Sequence, residues 1–131
     1  MSAHLTFSSF AAVGAGAAVG AWLRWGLGLM LNSLFPLIPI GTLVANLTGG
    51  LLMGVVLALI QAMPALPAAL KLMLATGLLG GLTTFSSFSA ESFHLMQRGE
   101  WAWLAGHTVL HVAGSLLMTW VGFTAFNALR A

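Results

Sequence analysis

The sequence predicts an all-α membrane protein with four transmembrane helices per subunit. The third is broken mid-membrane, and two subunits pair as an antiparallel, dual-topology homodimer. Three observations carry this reading. Of 131 residues, 60% are hydrophobic and 5% charged, against about a quarter charged in an ordinary soluble domain. Turn residues divide the chain into four stretches long enough to cross a bilayer, for which a helix needs roughly 20 apolar residues. The four cations split evenly between the two sides that such a topology creates, so the positive-inside rule has nothing to act on.

One domain spans 1–131, and its first crossing covers about 7–31. Gly14, Gly16, Gly20, Gly26 and Gly28 fall within it, and small residues let membrane helices approach closely. Asn32, Ser33, Pro36 and Pro39 then form a turn before the second span, 41–61. Pro64 and Pro67 mark the next turn, because proline disfavours helix at and before itself. The third span, 69–97, is interrupted around Gly77–Thr84 in GLLGGLTTFSSFSAESF, and the fourth covers 101–127. Trp22, Trp25, Trp101, Trp103 and Trp120 lie mostly toward span ends, where interfacial aromatics collect.

Charge patterning sets the topology argument. With four spans, Lys71 and Arg130 share one side of the membrane, and Arg98 lies on the other, joined by Arg24 if that residue is near the end of the first span. Such a chain can insert both ways, and oppositely inserted copies can pair about a two-fold axis in the membrane plane; the alternative is a bias elsewhere that fixes one orientation. No Lys/Arg cluster exists to neutralise phosphates, which argues against nucleic-acid binding. Cysteine is absent, so disulfides and thiolate metal sites are excluded. Met1–Thr6 lacks the positive region of a signal peptide, and the first span is expected to stay in the product.

Enzyme readings find little footing. Glu91 and Glu100 lie nine residues apart across a loop, and there is no aspartate. His107 and His111, four apart on the fourth span, share a helix face and could ligate a metal, but the sequence offers no evident third ligand. Hydrogen bonding between helices is the favoured reading of that pair, and His4 and His94 are read as interfacial. Asn46 sits mid-span with Thr42 and Thr48 nearby. A buried amide must be paired, either to a neighbouring helix or to an anion that replaces water. Phe85 and Phe88, three apart, project from one face, with Ser86 and Ser89 repeating the spacing one position on. Phenyl edges are positive and can attract an anion without trapping it; alone, the pair would read as core. Unwinding at Gly77, Gly80 and Gly81 would free carbonyls for a cation; the alternative is a packing kink.

GTLVANLTGG, GLLGGLTTFSSFSAE, the Arg24 context GAWLRW, and HVAGS together resemble the Fluc, or CrcB, fluoride channels over essentially the whole chain. The resemblance implies a dual-topology homodimer in the bacterial inner membrane. It also implies two passive fluoride pores and a structural sodium ion at the dimer centre. Phe85 and Phe88 would face fluoride, and Asn46 would donate to it. Ser86, Ser87 and Ser89 would form a polar track, with Glu91 along the exit route. Thr42 and Ser115 would line a vestibule, Arg24 would help set anion access, and the Gly80 and Thr83 carbonyls would hold sodium. In the family, such pores export fluoride that entered as HF, conferring resistance. A small dual-topology proton-coupled exporter is the alternative, but its membrane-embedded carboxylate is missing from the first span.

Overall fold

Five helices and a short 3₁₀ turn build the protein, whose computed structural model describes residues 5–131. His4 lies outside the described residues. Helix α1 spans Phe7–Leu31, α2 Ile40–Ala62, α4 Phe85–Gln97 and α5 Trp101–Arg130. Helix α3 is composite: Ala68–Leu72 is α-helical, Met73–Leu79 forms a π-helix, and Gly80–Leu82 returns to α. Taking α3 and α4 together as one span, the fold presents four helices long and apolar enough to cross a membrane, and no strand among the described residues.

Local chemistry fixes the ends. Thr6 caps α1 by accepting the Ser9 N–H at 3.1 Å, as a hydroxyl cap should. The Asn32 side chain accepts the Thr42 N–H at 3.1 Å, stitching the first turn to α2. Lys71 donates to the Pro64 carbonyl at 3.0 Å across the second turn. Helix α4 stops in a Schellman arrangement: Gly99 N–H donates to Met96 O at 3.0 Å and Glu100 N–H to Leu95 O at 2.9 Å. Gly99 has φ +70° and is the one glycine with positive φ among the described residues. Gly99→Ala is therefore expected to destabilise by about 1–2 kcal/mol, read as a lower melting temperature in detergent.

Several of the helix glycines serve packing. Helix α1 lies against α3, and α2 against α5, at separations that leave no room for side chains. A Cβ on Gly16 would meet the Met73 carbonyl at 2.5 Å, and one on Gly77 the Val13 carbonyl at 2.8 Å. Gly54 and Gly122 stand likewise against the backbone of Thr119 and Leu51. Between the helix pairs, Ala45, Val56, Leu79 and Leu82 form the buried core.

This corrects one expectation. Gly80 keeps helical angles (φ −63°, ψ −38°). The extended residues are Thr83 (φ −87°, ψ 157°) and Thr84 (φ −149°, ψ 120°). The physical reason is that Gly77 and Gly81 face the α1 backbone at Val13 and Ala17. Their missing Cβ permits contact rather than unusual angles, while β-branched threonine suits extended backbone.

Candidate ion-pathway site

Asn46 and the extended pair define the site. In an uninterrupted helix the Thr84 N–H would close on the Gly80 carbonyl. Here it donates to Asn46 Oδ1 at 2.7 Å, and Asn46 Nδ2 donates back to the Thr84 carbonyl at 3.1 Å. Likewise the Ser87 N–H, which would close on the Thr83 carbonyl, donates to the capping Thr84 hydroxyl at 3.0 Å. Helix α4 thus starts with its own N-cap, and the Gly80 and Thr83 carbonyls are released from those helical donors.

The two bonds to Thr84 fix which way the Asn46 amide points. Its nitrogen therefore faces His111 Nδ1, at 2.9 Å, and is the donor in that contact. A neutral ring that accepts at Nδ1 carries its proton on Nε2. Both hydrogens of the Asn46 amide are engaged within the chain, one by the break and one by α5.

Aromatic rings extend the site along α4. Phe85 and Phe88 lie 5.5 Å apart at 58°. They differ sharply in setting: Phe85 is 75% exposed and Phe88 8%. Phe88 stacks on His107 at 5.1 Å and lies 4.9 Å from His111. An open cleft of about 440 Å³ is lined by Asn46, Gly80, Thr83, Phe85, Phe88 and Ser115, among others.

The remaining sequence candidates fall around this centre rather than in it. Ser86 is exposed and lies 3.3 Å, hydroxyl to hydroxyl, from Thr84. Ser87 is half-buried and Ser89 exposed, so the hydroxyls do not share one environment. Thr42 is buried near the start of α2. Arg24 donates from Nε to the Gly81 carbonyl at 3.0 Å, satisfying an acceptor at the end of α3. Glu91 points to α5, with Oε1 3.5 Å from His107 Nε2.

That contact revises the reading of the histidines. Glu91, His107 and His111 each offer a ligand atom, all within 4.8 Å of one another. The third ligand, not evident along the sequence, comes from α4. The i, i+4 histidine spacing was the available signal; that Glu91 faces it depends on how α4 re-enters after the break. Thr84, whose backbone holds Asn46, carried no signal of its own.

Comparison with known proteins places this arrangement. A family model described as CrcB-like protein, Camphor Resistance (CrcB), matches residues 11–123. A protein of Aromatoleum aromaticum named fluoride-specific ion channel FluC is 65% identical over 130 residues, 99% of each chain. One of the same name from Pseudomonas putida is 55% identical over 118 residues, covering 90% of this chain and 93% of its own. Another, from Thiobacillus denitrificans, is 51% identical over 125 residues, covering 94% and 99%. By a match that runs from early in α1 to late in α5, through the break and the Asn46 site, the chain belongs to the CrcB-like family.

Proposed function

We propose that this multi-pass membrane protein is a passive channel for fluoride, the ion its relatives are named for, and not an enzyme. The observation that carries the reading is the Asn46–Thr84–Phe88 arrangement: a neutral polar site and two aromatic rings beside an open cleft, with no fixed cation among the six cleft residues named above. Fluoride is the most strongly hydrated halide and needs donors throughout its path. Conduction also needs sites that release the ion, which favours neutral donors and ring edges over lysines.

Within this reading Phe85 and Phe88 present their edges to the ion, and Ser86, Ser87, Ser89, Thr42 and Ser115 supply hydroxyls. Glu91 lies along the exit route, and Arg24, bonded to the Gly81 carbonyl beside the break, helps set anion access. Because both Asn46 hydrogens are held in the chain, fluoride competes for the one His111 takes. The other stays with Thr84 and keeps the break in place.

Two copies facing opposite ways in the bacterial inner membrane would form an antiparallel homodimer with two pathways and the break at mid-membrane. The even division of cations and the 75% exposure of Phe85 support this assembly. Sodium at the dimer centre fits the donor set, since the Gly80 and Thr83 carbonyls lack the Thr84 and Ser87 donors a continuous helix would give them. Hard oxygen ligands of this kind suit such a cation, whose charge would hold the two breaks together.

Fluoride-loaded liposomes containing the purified protein should release fluoride rapidly, while chloride-loaded ones should not release chloride. Equal chloride efflux would refute selectivity, and uphill movement driven by a pH gradient would favour a coupled exporter.

A further inference from the structure

We propose that Glu91, His107 and His111 form a binding site for a divalent transition metal of the zinc class, and that its occupancy blocks the pathway. The blocking step rests on the channel reading; the binding step does not.

Geometry and burial carry the site. The ligand atoms lie within 4.8 Å of one another, and the Glu91 Oε1 to His107 Nε2 separation is 3.5 Å. Tetrahedral zinc with ligand bonds of about 2.0–2.1 Å spaces its ligands about 3.3 Å apart, so one edge is nearly formed. His107 is 0% and His111 4% exposed. Glu91 Oε1, both His107 ring nitrogens and His111 Nε2 are buried without a hydrogen-bond partner among the described residues. Buried polar atoms are normally paired, and a single cation would engage one on each of the three side chains. Two imidazoles and one carboxylate select a borderline ion over calcium or magnesium, which prefer all-oxygen ligands. The Glu91 side chain remains 15% exposed, which gives the ion an entry.

His111 sets the cost. The metal needs the Nε2 lone pair, so the ring proton must shift from Nε2 to Nδ1, where it faces the Asn46 N–H. Asn46 must then turn away, loosening its hold on Thr84. A bound metal therefore acts twice on the pathway: it places a divalent charge beside Phe88, and it disturbs the amide that fixes the break. An anion captured at its open fourth position would be held rather than passed on.

Untagged protein in detergent, titrated with Co²⁺ and followed by visible absorption, should develop a saturable band that Zn²⁺ abolishes. Changes outside the ligand shell alone cost about 10–100-fold in metal affinity, so Glu91→Gln, His107→Ala and His111→Ala should each weaken binding at least that much. No saturable band, or a variant that binds as tightly as the parent, overturns the three-ligand site. Where a histidine variant fails to remain monodisperse, the near-isosteric Glu91→Gln carries the same test. In liposomes, Zn²⁺ should slow fluoride efflux through the parent but not through Glu91→Gln, each relative to its own metal-free rate. Efflux indifferent to Zn²⁺ while Co²⁺ binds overturns the block. Absence of any efflux with Co²⁺ binding intact refutes the channel and upholds the metal site.

Discussion

Asn46→Leu is expected to bring fluoride efflux to the background of empty liposomes and to destabilise the fold by about 2–4 kcal/mol. The side chains are close in size, so the change removes hydrogen bonds without opening a large cavity. It leaves the Thr84 N–H without its 2.7 Å acceptor, the Thr84 carbonyl without its 3.1 Å donor, and His111 Nδ1 without its 2.9 Å partner. The Thr84 N–H would be free to seek the Gly80 carbonyl and extend the helix across the extended pair, which would misplace Phe85 and Phe88 together. Efflux is read with a fluoride electrode, and stability by unfolding in mixed micelles. Parental values in both measurements would show that neither the break nor the anion depends on this amide. Ser89→Ala, at an exposed position, serves as the control and should leave stability unchanged.

Why Asn46 was legible in the sequence while its partners were not has a physical basis. A lone amide in an apolar span must be paired, and that necessity is visible from residue type alone. Its partner is backbone, and any residue can present backbone. Thr84 was thus invisible as a partner, although the surrounding break was marked by glycine and hydroxyl residues. The glycines themselves read as points of unwinding, with a packing kink as the alternative. At Gly77 and Gly81 the missing Cβ admits α1, whereas the extended angles belong to threonine. Helix ends follow the hydrophobic runs and prolines; α5 runs on to Arg130 since no helix breaker follows Asn127. The facing of Glu91 onto His107 was not readable. It depends on the angle at which α4 resumes, which is set by the Asn46–Thr84 pair on another helix.

Phe85→Ile and Phe88→Ile should each abolish efflux, yet differ in what they do to the fold. Isoleucine keeps an apolar side chain but has no ring edge, so the pair of variants separates electrostatics from hydrophobic contact. Phe88 is buried against His107 and His111. Its replacement loses stacking as well as volume and should cost about 1–2 kcal/mol. Phe85 is largely exposed, so its replacement should leave the melting temperature near the parental value while efflux is still lost. Loss of transport without loss of stability is the signature of a ring that acts on the ion. A single-chain packing role predicts the reverse at Phe85: little change in either measurement. Both variants should still elute at the position of the parental assembly. If Phe85→Ile conducts normally, that ring belongs to packing against lipid or a neighbouring chain. If both variants conduct normally, the path does not use ring edges, and Asn46 with the hydroxyls must carry the ion alone.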